Sequence, residues 1–143
     1  MPVPSSSDIQ FVPTGQAKFS VDSITDPGGA PTEVLDVDLG FVVSGTVKLP
    51  NWLNGKGQTC IYADELGGPI DKKIGCTEFD IVASSGEPNP KTYNWTITFP
   101  GNPPVLPDPS AGSQLYRLAA VFLFGDQSTD IATFVEMGTY LIN

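Results

Sequence analysis

The chain has no histidine, only two cysteines, and seven basic residues against sixteen acidic ones in a length of 143. Without imidazole, Ser-His-Asp and Cys-His relays lack their general base, and the common zinc sites lack their nitrogen ligand. Two thiols do not furnish a four-thiolate metal site either. A formal charge of −9 repels a nucleic-acid backbone or an anionic bilayer at long range, so neither is expected as a partner. No apolar run approaches the roughly eighteen residues a membrane helix requires, and the longest, Leu118 to Phe124, excludes membrane insertion by that route. The N-terminal stretch "MPVPSSSDIQFVPTGQAKFS" lacks a basic n-region and a sustained apolar run, so a cytoplasmic location is expected unless a signal was removed. The only loop that faintly suggests a phosphate cradle, "GKGQT", has neither the spacing nor a following helix.

What the chain does have is Gly 15 and Pro 14, with 40 % hydrophobic residues and 16 % charged. The charged share falls below the usual ~25 %. That mixture favours many short strands joined by turns, in one domain able to bury a sizeable core. Residues 1–15 read as a Pro/Ser-rich arm, extended because proline fixes φ, with Ile9, Phe11 and Val12 as its docking side chains. Residues 16–143 read as the single folded domain.

Period-two alternation recurs along that domain. Phe19 and Val21 share one face of a first strand, and "DPGGAP" ends it as a turn. In "LDVDLGFVVSGTVKLP" the apolar residues Leu35, Val37, Leu39, Phe41, Val43, Val47 and Leu49 all fall on odd positions, which a helix does not fit. Such a strand is long, so Gly40 or Gly45 is expected to mark a bend or bulge between sheet edges. "TYNWTITF" points Tyr93, Trp95, Ile97 and Phe99 inward, and "QLYRLAAVFLFG" carries large apolar residues on both parities, as a strand covered on both faces would. Seven or eight strands without an amphipathic helix predict an antiparallel β-sandwich, immunoglobulin-like in outline. The Cys…Trp…Cys order of antibody domains is absent, because both cysteines precede Trp95.

The cysteines flank "ADELGGPIDKKIG". In a regular hairpin Cys60 faces Cys76, Tyr62 faces Ile74, and Asp64 faces Lys72 as a favourable charge pair. Ile61, Phe79 and Ile81 then claim the core, which sends the thiols to the outer face unless a bulge intervenes. Two outcomes stay open: a disulfide between Cys60 and Cys76, or two free thiols in a reducing compartment.

No sequence feature marks a catalytic carboxylate pair among the sixteen acids, and no enzyme activity is expected. For a metal, the acidic loops are the candidates. Ca2+ wants several hard oxygens, which Asp64, Glu65 and Asp71 would offer at one hairpin and Asp126 and Asp130 at "GDQSTD". For a glycan or a protein partner, Trp52 in the loop "PNWLNGKG" and Tyr62 are candidate contacts, although a loop tryptophan more often folds back on the core. Asn94 opens a glycosylation sequon on an outward strand position. The sequence thus points to a non-catalytic binding or assembly module, self-associating through the arm or an apolar sheet face or engaging a protein partner, with cover of that face by the arm within the monomer an equally open outcome. The alternative is a calcium-dependent or aromatic-platform carbohydrate-binding module.

Overall fold

The computed structural model describes residues 5–8, 17–32, 34–84, 86, 88–106, 114–125 and 130–142. Nine strands run through them: β1 (Ser5–Asp8), β2 (Lys18–Thr25), β3 (Val34–Leu35), β4 (Gly40–Leu49), β5 (Gly55–Glu65), β6 (Asp71–Ile81), β7 (Lys91–Pro100), β8 (Gln114–Gly125) and β9 (Asp130–Ile142). One sheet is ordered β1-β2-β4-β7 and the other β3-β9-β8-β5-β6. Every pairing is antiparallel except the two-residue parallel contact of β3 with β9. The sheets stack as a β-sandwich, with β1 and β2 beside β9 at one margin and β6 beside β7 at the other. Among the described residues there is no helix, hence none long and apolar enough to cross a membrane.

The inward residues of both sheets make one core. Phe19 of β2 stacks between Trp95 of β7 and Phe122 of β8, at ring-centroid distances of 5.8 and 5.6 Å. Phe79 of β6 extends that row to Phe122 at 6.2 Å. The alternation read in "TYNWTITF" therefore holds, with Trp95, Ile97 and Phe99 buried and Thr92, Asn94, Thr96 and Thr98 exposed.

The long odd-parity stretch is split. β3 ends in the five-stranded sheet, Asp36 accepts the amides of Asp38 and Leu39 at its carboxylate, and Gly40 takes φ +87° to enter the four-stranded sheet. Gly40 is thus the crossing point, and a side chain there would press on the Phe99–Gly101 backbone. Leu39, expected inward, lies in that turn and is exposed. Gly45 stays inside β4 opposite Trp95, where a Cβ would stand 2.7 Å from the indole Cε2. Its missing side chain is the space the tryptophan fills.

At the chain start, Ser5–Asp8 pairs with Val21–Lys18 as the edge strand β1. The expected docking residues Ile9, Phe11 and Val12 lie outside the described residues.

Candidate binding face

The β5–β6 hairpin forms and Cys60 is bonded to Cys76. Register follows the regular hairpin up to the cysteines and then slips at a bulge between Ile61 and Tyr62. Beyond it Tyr62 faces Lys73 and Asp64 faces Asp71, which corrects the expected Tyr62–Ile74 and Asp64–Lys72 pairs. The cause is Ile74: in the regular register it would share the outer face with Tyr62, whereas the bulge sends it toward the core beside Gly75, which lies against Phe99. Asp64 finds its cation across the other ladder, at 3.2 Å from Arg117 of β8.

Alternation on β5 places Thr59, Ile61, Ala63 and Glu65 inward, so Cys60 shares the outer face with Gln58, Tyr62 and Asp64. Successive cross-strand rows can be read from the pairing. Gln58 of β5 aligns Glu78, Leu123 and Ala132; Cys60 aligns Cys76, Val121 and Phe134; Tyr62 aligns Lys73, Ala119 and Glu136. The middle of this face is apolar. Phe134 is 61 % exposed, Leu123 41 % and Tyr62 37 %, while Leu115, 45 % exposed, lies beyond Arg117 on β8. β8 is covered on its inner face, and among the described residues no element packs on its outer one, where Leu115 and Leu123 are exposed.

Charge rims the apolar band. At one end Lys56 pairs with Asp80 at 2.6 Å, and that hydrogen bond, reinforced by the aspartate charge, raises the lysine pKa. At the other stand Lys73, Glu136, Asp71 and the Asp64–Arg117 pair. Two shallow depressions flank the ridge of Val121 and Phe134. The larger, about 420 Å³, is lined by Lys56, Gln58, Glu78, Leu123 and Ala132, and the smaller, about 180 Å³, by Tyr62, Asp64, Arg117 and Glu136.

The acidic loop residues do not gather as one set: Asp64 and Asp71 stand opposite each other across β5 and β6. Asp64 and Asp71 point outward, while Glu65 turns into the sandwich and accepts a hydrogen bond from the Tyr116 hydroxyl at 3.1 Å. Burial, and then that bond, push the Tyr116 pKa up to about 12. No group of three potential ligands suited to a metal ion occurs among the described residues. Asp126 lies outside them, and Asp130 is placed only as the first backbone position of β9.

Trp52 does not fold back on the core. It is 51 % exposed while its neighbour Leu53 is buried. The surrounding loop is pinned, since the Asn51 amide donates to Asn89 Oδ1 at 3.2 Å and the Ser84 amide donates to the Asn51 carbonyl at 2.8 Å. Trp52 and Tyr62 are thus separate features, the first at one end of the sandwich and the second on the sheet face. Phe134 and Leu123 were missed as site residues, although apolar residues on both parities of "LAAVFLF" and the odd-one-out position of Phe134 beside Val135 carried the signal.

No protein-family model and no curated protein matches the chain. Among solved structures it is similar to the C-terminal domain of wzt, at 14 % identity and a TM-score of 0.58, over 100 % of this chain and 78 % of that one. A β-glucosidase from Listeria innocua in complex with gluconolactone aligns at 14 % identity and a TM-score of 0.45, over 84 % of this chain and 16 % of that one. A β-glucosidase from Kluyveromyces marxianus aligns at 15 % identity and a TM-score of 0.35, over 85 % and 14 %. The first likeness supports the sandwich fold.

Proposed function

We propose that the chain is a non-catalytic binding module that engages protein through the outer face of its five-stranded sheet. The observation that carries this reading is the exposed apolar band of Phe134, Leu123 and Tyr62 inside a charged rim. An apolar centre with aromatic anchors and a polar border is the usual anatomy of a protein interface. Contiguous exposed apolar surface costs solubility and persists where a partner covers it. The test is photo-crosslinking in the cell that makes the protein, with a benzophenone side chain placed at Phe134 or, on the opposite face, at Thr96. Protein adducts at 134 and not at 96 are expected; equal adducts at both positions, or none at 134, would refute the reading.

Trp52 favours a second reading, because a half-exposed indole on a pinned loop offers a flat face to a sugar ring with little entropy left to lose. Glycan-array binding abolished by Trp52→Ala and indifferent to Phe134→Glu would establish it over the first.

A further inference from the structure

The β5–β6 hairpin is held unevenly along its length. At the base of β6 Ile81 is buried, and Phe79 beside it lies 6.2 Å from both Tyr93 and Phe122. From Leu66 to Asp80, by contrast, no residue is fully buried. Ile70 and Ile74 are half-buried against the core, Gly75 brings no side chain, and Asp71, Lys72 and Lys73 stand in water. β6 is the last strand of its sheet, so β5 alone pairs with it. Their ladder carries the bulge at Ile61 and Tyr62 and sets Asp71 opposite Asp64, whose cation Arg117 lies on the far side. Like charges directly opposed weaken a pair of strands. β5 itself buries Ile61, Ala63 and Glu65 and pairs with β8 from Lys56 to Glu65, so its place does not depend on β6.

One covalent bond crosses from the loosely held part to the rest. We propose that the Cys60–Cys76 disulfide is a redox latch on residues 66–76: bonded, it holds the segment down, and reduced, it lets the segment lift off β5 while the remaining sandwich stays folded. The bond joins directly opposed residues, just where the anchored base of β6 gives way to the exposed tip. It closes a ring around the segment and removes most of the open forms the segment would otherwise sample. Both cysteines of the chain are used in it, so no further thiol of the chain competes for the bond. This latch is independent of the partner proposed for the sheet face.

Burial directs the chemistry, because Cys60 is buried and Cys76 only half-buried. A thiolate of a dithiol reductant attacks Cys76 Sγ and Cys60 leaves as the thiolate. The reductant's second thiol then displaces Cys76 as the reductant closes its own disulfide. Two electrons and two protons pass to the protein, which is left with two thiols. What the lifted segment uncovers is specific. A Cβ on Gly75 would stand 2.6 Å from Phe99 Cε1, and Phe99 stacks on Phe41 at 4.6 Å, so the segment covers that aromatic pair. Gly68 lies closely over the Glu65 carboxylate, which accepts the Tyr116 hydroxyl at 3.1 Å. Lifting also bares the β5 edge between Ile61 and Glu65, an unpaired ladder open to another strand.

The test is hydrogen exchange read by mass spectrometry on the full chain at neutral pH, first disulfide-bonded, then held reduced by dithiothreitol, then reoxidised. The ladder amides of residues 71–76 are expected to exchange about a hundredfold faster in the reduced chain, the scale of one lost loop closure. Peptides from β8 and β9 are expected to change by less than about threefold. Reoxidation is expected to restore the protection of 71–76. Unchanged exchange of 71–76 on reduction overturns the proposal, because packing and the ladder alone would then hold the segment. So does an equal acceleration in β8, which would make the bond a staple of the whole domain. Protection that fails to return on reoxidation overturns it as well, since a latch closes again.

Discussion

The two outer faces of the sandwich use the same strand pleat and carry opposite chemistry. On the four-stranded sheet, β2, β4 and β7 present Ser20, Thr46 and Asn94 in one row and Ser23, Ser44 and Thr96 in the next. The hydroxyls serve one another, with Ser20 Oγ 2.8 Å from Thr46 Oγ1 and Ser44 Oγ 3.4 Å from Thr96 Oγ1. On the five-stranded sheet the corresponding positions are Leu123, Val121 and Phe134 around a disulfide. Antiparallel sheets commonly keep one polar face in water, so the hydroxyl face needs no partner. The apolar face forfeits roughly 25 cal/mol for each Å² of apolar surface it leaves in water, and folding alone does not account for it.

The sharpest way to break the comparison uses neighbouring rows of the five-stranded sheet. Phe122 and Phe134 lie on adjacent strands, one inward and fully buried, the other outward and mostly exposed. Phe122→Ala is expected to cost about 3–5 kcal/mol in urea unfolding, because it empties the junction between Phe19 and Phe79. Phe134→Ser is expected to change stability by no more than about 0.5 kcal/mol while abolishing association. A large stability loss from Phe134→Ser would show that its ring belongs to the core.

The disulfide supplies the next test. It ties the edge strand β6 to β5 across a sequence separation of 16, a closure whose loss is expected to cost about 3 kcal/mol on reduction and alkylation. Chemical denaturation of the two forms measures it. Because the bond lies on the outer face, reduction is expected to loosen the hairpin ahead of the aromatic core, so intrinsic tryptophan fluorescence from buried Trp95 should persist after the hairpin amides begin to exchange.

Much of this contrast was legible in the sequence, and the exceptions have physical causes. Alternation located the inward residues of β2, β4 and β7, because one wet face and one dry face force period two. It failed at Leu39, where the chain changes sheets, and beyond Ile61, where the bulge shifted the partners of Tyr62 and Asp64. A bulge follows from the needs of one side chain against another across strands, and pairing is not written in either strand alone. The same limit hid the extent of the outer apolar face. Apolar residues of both parities on β8 stated that its outer side is apolar, but only the strand order, with β8 flanked by β9 and β5, shows which outward neighbours widen it. Glu65 and Asp64, adjacent in sequence, went to opposite faces, which separates the carboxylates that proximity in the chain had suggested as a cation site.

Glu65 also sharpens the comparison from the inside, as a charged residue on the dry side. Tyr116→Phe removes its hydrogen-bond donor and is expected to destabilise by about 1–3 kcal/mol. The pH dependence is specific. With the Tyr116 pKa at about 12 in the fold against an ordinary 10.0, its contribution is complete below pH 10 and is lost as the pH rises toward 12, because the unfolded chain gives up the phenolic proton first. Wild type is therefore expected to lose more stability across that alkaline window than Tyr116→Phe, measured by the urea midpoint.

The smallest expected effect falls on the hydroxyl face. Thr46→Val keeps the β-branched shape that suits β4 and removes one hydroxyl from the pair with Ser20. Ser20 is only half-buried and can turn to water, so the cost should be about 0.5–1 kcal/mol. The more telling readout is association. Adding two methyl groups to this face through Thr46→Val and Thr96→Val should leave the proposed partner binding unchanged, because neither residue lies on the apolar sheet. If partner capture instead responded to these two substitutions as strongly as to Phe134→Ser, binding would not be a property of one face, and the proposed division of labour between the sheets would fall with it.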